Sequence, residues 1–187
     1  MHPSEACLCQ GAGFERACAV RALLETAGAR SRPALVREAP ERAIFGCMAD
    51  FRESLIYRWL VAGDVGDLDA FDDLLLPDAV IHAPRGLSTT SRELEKAVWR
   101  EAVAAMPDLR HDVQEVLAGQ DVEMARVVVT GTMAGRFAGV EGNGRSFRMD
   151  QAVIAHLHGG RIAEAWEIAD VAALESQVTQ PTDADAQ

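Results

Sequence analysis

Two strand-like runs flank Gly159-Gly160 between Ser146 and Asp170, and this stretch restricts the fold more than any other. A glycine pair between such runs signals a two-residue hairpin turn, because both central residues need positive φ. The second run alternates in an informative way. Ile162, Glu164, Trp166 and Ile168 are expected on one face, and Ala163, Ala165, Glu167 and Ala169 on the other. Alanines leave open space in front of a sheet. That face reads as a pocket floor with Glu167 pointing into it, or equally as a solvated sheet face.

At 187 residues the chain suits one domain with a sizeable core. Phe51, Leu55, Ile56, Trp59 and Leu60 form the apolar stripe of an amphipathic helix that ends near Gly63. Residues 67–75 predict a second short helix, with Asp67 as its N-cap and Pro77 beyond its end. A short strand is expected over 79–82. Thr90-x-x-Glu93 reads as a capping box opening a third helix, with Leu94, Ala97, Val98, Glu101 and Ala102 inward and Trp99 beside them. Strands over 110–118 and 122–133 follow, then a glycine-rich loop, the hairpin and a short helix over 171–178. Helices followed by a meander indicate an α+β fold with the helices on one face of a curved sheet.

The net charge of −11 argues against a nucleic-acid or anionic-membrane surface, and no apolar run approaches the ~20 residues that span a bilayer. Cys7, Cys9, Cys18 and Cys47 all fall in the first quarter, without a partner pair at zinc spacing, so no metal site is expected. The start lacks a basic region followed by a long apolar stretch, which makes the cytoplasm the default compartment. Residues 1–47 carry six Arg and five acids, in contrast to the acidic remainder. They are expected to be a mobile extension with one helical piece over 14–26; in a sharper reading, Met48 is the natural start. Residues 179–187 are expected as a disordered tail.

Over residues 48–178 these pieces resemble the SnoaL-like polyketide cyclase (ester cyclase) family of the nuclear transport factor 2-like superfamily. The matching residues are Gly63-Asp64, the run Leu76-Pro77-Asp78-Ala79-Val80-Ile81-His82, and Met106-Pro107-Asp108-Leu109. Gly131-Thr132, Gly135-x-Phe137-x-Gly139, Gly144-Arg145-x-Phe147 and Gly160-Arg161-Ile162-x-Glu164-x-Trp166, with Asp170 and Gln177, complete the set. The resemblance implies a conical barrel of curved, mostly antiparallel sheet with three N-terminal helices packed on its concave face. It also implies a homodimer or homotetramer joined through the outer sheet face, with Trp166 and Ile168 towards the partner.

The family's proposed acid/base carboxylate falls on Glu167, a Glu where the family has Asp. The position of a family pocket histidine is occupied by Val153. His82 is the best remaining imidazole, and Asp170 joins Glu167 and His82 as a candidate catalytic residue. Trp59, Trp99, Phe137, Gln151 and Val153 are the candidate substrate contacts, and Phe51 is a further flat wall. His156 and His158 lie on the outer parity, and His111 has no visible partner. The implied reaction is an intramolecular aldol closure of a small apolar or aromatic carbonyl compound, which requires no cofactor. The alternatives are a non-catalytic binding or oligomerisation module, and isomerase or hydrolase chemistry drawing on Tyr57 or Arg126.

Overall fold

The computed structural model describes Gly46, Cys47 and residues 50–179. The expected helix over 14–26, the Cys7-x-Cys9 pair and residues 180–187 lie outside the described residues. In chain order the elements are β1 (Gly46–Cys47), α1 (Leu55–Asp64), α2 (Phe71–Leu74), β2 (Leu75–His82), α3 (Arg92–Ala105) and β3 (Arg110–Ala118). They continue with β4 (Val122–Met133), β5 (Arg145–His158), β6 (Arg161–Ala169) and α4 (Val171–Thr179). The sheet runs β1-β3-β4-β5-β6-β2, antiparallel throughout except for the β2–β6 edge. This is the expected α+β class, a curved and mostly antiparallel sheet.

The hairpin forms as predicted. Gly159 and Gly160 have φ of 58° and 74°, the left-handed pair that matches strand twist. The simple alternation along β6 does not survive. His156 pairs with Glu164 but Leu157 with Ile162, so Ala163 is an extra, bulged residue. The bulge reverses parity at the start of the strand, and Ile162, expected outside with Trp166, is fully buried. Beyond it the expectation holds: Ala165, Glu167 and Ala169 face the concave side.

Helix α1 buries Leu55, Ile56, Trp59 and Leu60 as its apolar stripe requires. Ser54 caps it by accepting from the Tyr57 N–H. The buried Glu123 carboxylate of β4 accepts from the Leu55 and Ile56 N–H groups, at 3.2 and 3.0 Å. A strand thus supplies an anion to the positive end of the helix that crosses it. Asp67 makes no side-chain cap, because the segment begins as a short 3-10 turn over Leu68–Ala70.

Helix α3 is set one residue away from the expected frame. Its cap is Ser91, whose Oγ accepts from the Leu94 N–H, and not Thr90. Its buried residues are Glu95, Lys96, Trp99, Ala102 and Ala105, while Leu94 is 52% exposed and Glu101 is exposed. The inward face of α3 therefore carries a carboxylate, an ammonium and an indole where an apolar stripe was expected. Lys96 is accounted for by an ion pair with Asp72 at 2.7 Å. Glu95 faces the cavity.

Candidate active site

Between α3 and the concave sheet face lies a cavity of about 120 Å³. Its walls are apolar: Val98 and Ala102 of α3 with Met106 just past its end, Val129 and Met133 of β4, Phe147 and Met149 of β5. Into this lining project Glu95, Trp99, His111, Gln151 and Glu167. At the mouth, Arg85 joins three segments. Its Nε donates to the Ala138 carbonyl at 2.7 Å, and its guanidinium pairs with Glu175 of α4.

Glu167 stands on β6 opposite the fully buried Val153 of β5. It is part-exposed and lines the cavity, yet the surrounding protein removes enough water to push its carboxyl up to about 8, helped by the nearby negative charge of Glu95. Glu95 is itself pushed up to about 7 by burial. Two donors oppose that rise: Thr89 Oγ1 donates to Glu95 Oε2 at 2.9 Å and Trp99 Nε1 to Oε1 at 2.8 Å. The two acids therefore differ in kind. Glu95 has a donor on each oxygen, which favours its anion, whereas Glu167 faces an apolar cavity and a negative neighbour, which favour its acid form. Both carboxyls are held above the ordinary carboxylate range, Glu167 further than Glu95, which brings an acid and a base into one pocket near neutrality.

His111 does have a partner. Its Nδ1 lies 2.6 Å from Asp64 Oδ1 and its backbone N–H donates to Asp64 Oδ2 at 2.7 Å. Both side chains are about nine-tenths buried. The imidazole packs against Trp99, with ring centroids 5.3 Å apart.

Trp99, Phe137 and Gln151 line the cavity as expected. Gln151 Oε1 is buried without a hydrogen-bond partner. Four expected residues stand elsewhere. His82 is on the convex face, because it pairs with Trp166 while its neighbour Ile81 pairs with the inward Ala165. There it bonds Glu164 at 2.8 Å and stacks on Trp166 at 5.0 Å, so it cannot orient Glu167 across the sheet. Asp170 caps α4 by accepting from the Ala173 N–H. Trp59 and Val153 are fully buried in the core, outside the cavity lining. Phe51 and Tyr57 pack edge to face on each other away from the cavity, and Arg126 is exposed. Neither Tyr57 nor Arg126 is placed for the isomerase or hydrolase arrays. No group of three or more potential metal ligands occurs among the described residues.

Neither Glu95 nor the Asp64–His111 pair is expected from the sequence as part of the site. Glu95 falls in the unexpected frame of α3, and Asp64 and His111 meet across 47 residues of chain.

The sequence pattern of SnoaL-like polyketide cyclases matches residues 54–178. Among solved structures, IdmH of Streptomyces antibioticus, a proposed polyketide cyclase, is 32% identical with a TM-score of 0.59, over 66% of this chain and 94% of its own. TsrD of Streptomyces laurentii is 24% identical over 67% of this chain and 92% of its own, with a TM-score of 0.61. A proposed SnoaL-like polyketide cyclase of Jannaschia sp. CCS1 is 18% identical over 68% of this chain and 91% of its own, with a TM-score of 0.63. The last two share the fold. No curated protein matches the sequence.

Proposed function

We propose that this chain, which belongs to the SnoaL-like polyketide cyclase family, is a small-molecule acid/base enzyme that closes a ring by an intramolecular aldol-type step, with Glu167 moving the proton. The observation that carries the reading is one carboxyl in an apolar cavity, beside a second carboxylate, with its proton affinity raised to about 8. A carboxylate at its ordinary value is a weak base, and a base whose pKa is close to the working pH is the effective one. In the proposed reaction the Glu167 carboxylate takes a proton from a carbon flanked by carbonyls. The resulting enolate carbon bonds to a second carbonyl carbon, and the oxygen of that carbonyl takes up a proton. The substrate's own carbonyls hold the carbanion charge, so the chemistry calls for no cofactor.

The apolar walls, with Trp99 and Phe137 among them, suit a small aromatic or apolar carbonyl compound. Assembly with a second copy through the convex face belongs to the same proposal, since Trp166, His82 and the exposed Ile168 lie there.

The test uses 2-tetralone, a bicyclic ketone whose C1 protons are acidic. The purified protein in D2O is expected to accelerate deuterium uptake at C1, and Glu167→Gln to lose that acceleration by at least ~100-fold. Binding of 2-tetralone with no exchange in the wild type would favour a non-catalytic binding module. Exchange that survives in Glu167→Gln would remove Glu167 from its role.

A further inference from the structure

We infer that the cavity holds a second proton-transfer group, the His111 imidazole oriented by Asp64, which donates from Nε2 to the carbonyl oxygen that becomes charged when Glu167 removes a carbon-bound proton. This inference rests on the acid/base reading of the same cavity and adds a residue to it.

Asp64, the last residue of α1, holds His111 of β3 at two points, with Oδ1 on Nδ1 and Oδ2 on the backbone N–H. A carboxylate can only accept, so Nδ1 carries a hydrogen and the tilt of the ring is fixed; Nε2 is bare on the neutral ring and carries a hydrogen to donate once the ring takes a second proton. Nε2 has no hydrogen-bond partner among the described residues, although the ring lines the cavity. A polar atom on an apolar wall normally has a partner, and here a substrate oxygen can supply it. The groups around the imidazole are few. α1 presents Asp64, β4 presents the apolar Val129 opposite it, and α3 presents Trp99, beyond which lies Glu95. Trp99 touches both centres, since its Nε1 bonds Glu95 while its ring packs on His111. One indole therefore spaces the dyad from the carboxylate pair.

This arrangement suits a substrate with an acidic carbon and a carbonyl beside it. The C–H bond breaks and its proton passes to the Glu167 carboxylate. The electron pair of that bond forms the enol carbon–carbon double bond, and the carbonyl π pair moves onto oxygen. That oxygen takes the Nε2 proton of the protonated imidazole, leaving neutral His111 beside Asp64. The enol carbon then bonds to the second carbonyl carbon, whose oxygen takes the proton released from the enol oxygen. Proton exchange with solvent resets both groups. Deuterium uptake by 2-tetralone samples the first half of this sequence, because its carbonyl oxygen gains charge as C1 loses its proton.

The experiment compares wild type, Glu167→Gln, His111→Gln and the isosteric Asp64→Asn in that exchange assay. It also follows the His111 ring nitrogens by 15N NMR with 2-naphthol, an enol mimic, as the probe. His111→Gln is expected to slow exchange by about 10–100-fold and to remove one limb of the pH profile. Asp64→Asn is expected to shift that limb along the pH axis, an effect that loss of packing alone does not produce. In the wild type, 2-naphthol should move the Nε2 resonance. Exchange that needs Glu167 but is unchanged in His111→Gln would overturn the inference and leave the proposed function standing. If the wild type exchanges nothing, the proposed function fails and the naphthol spectrum decides: a shifted Nε2 supports the dyad as an oxygen-binding donor, and an unmoved one overturns it.

Discussion

Glu167 on β6 and Glu95 on α3 line the same apolar cavity, and the charge of Glu95 adds to burial in holding the Glu167 carboxyl protonated up to about 8. The relationship is asymmetric. Glu95 has a donor on each oxygen, from Thr89 and Trp99, which favours its anion against the burial that pushes it up to about 7, so Glu167 holds its proton to the higher pH of the two.

Stability should therefore fall with rising pH across a defined window. Between the ordinary carboxylate value of 4.5 and about 8, native Glu167 binds more proton than the unfolded chain does, so raising the pH draws the equilibrium towards unfolding. Above that window the cost is fully present. Glu167→Gln removes it, and is expected to gain ~2 kcal/mol or more at pH 9 with little change at pH 4. Thermal or urea melts of both proteins at the two pH values check this; equal differences at both would contradict it.

Removing the Glu95 charge should loosen the Glu167 proton. Glu95→Gln keeps an acceptor for Trp99 and a polar partner for Thr89, but takes away the repulsion that raises Glu167. The rise of 2-tetralone exchange with pH is then expected to shift to lower pH, while Glu167→Gln abolishes the exchange. A profile that stays in place in Glu95→Gln would mean that burial alone sets the proton affinity.

The sequence showed the parts of the site that local rules determine. Glu167 is on the concave face because strand alternation holds from Glu164 to Ala169, and the Gly159-Gly160 turn sets the hairpin register. Ile162 escaped because the Ala163 bulge follows from pairing with Leu157, which one strand's own sequence does not reveal. Glu95 escaped for a different reason. Apolar periodicity assumes that the inward face is greasy, and α3 buries Glu95 and Lys96 while exposing Leu94. His82 was misplaced because β2 pairs in parallel with β6, and that register puts Ile81 inward. The Asp64–His111 contact depends on the helix–sheet packing of the finished fold.

On the convex face, His82 stacks on Trp166 at an interplanar angle of 13° while His156 meets the same ring edge-on. Ile168, two residues along the strand, is 60% exposed. The proposed assembly through this face predicts that Ile168→Lys lowers the oligomer mass seen by light scattering. Since Ile168 packs little within one chain, the monomer's melting temperature should hardly change. An unaltered oligomer would place the contact elsewhere.

Gly63 reports on the positioning of the whole site. A Cβ added there would lie 2.3 Å from Trp99 Cε3, well inside contact distance, so the indole would have to move. It has little freedom to do so: its Nε1 is bonded to Glu95, its ring meets Phe71 edge-on at 6.1 Å, and it packs on His111. Overpacking of this kind costs ~1–3 kcal/mol, so Gly63→Ala is expected to fold with a lowered melting temperature. The displaced indole should also weaken its bond to Glu95, which removes a donor that favours the Glu95 anion. A more protonated Glu95 repels the Glu167 charge less, so at one pH the variant's exchange should differ from wild type beyond what its folded fraction explains. Loss of stability with unchanged exchange per folded molecule would mean that Trp99 packs beside the site without positioning it.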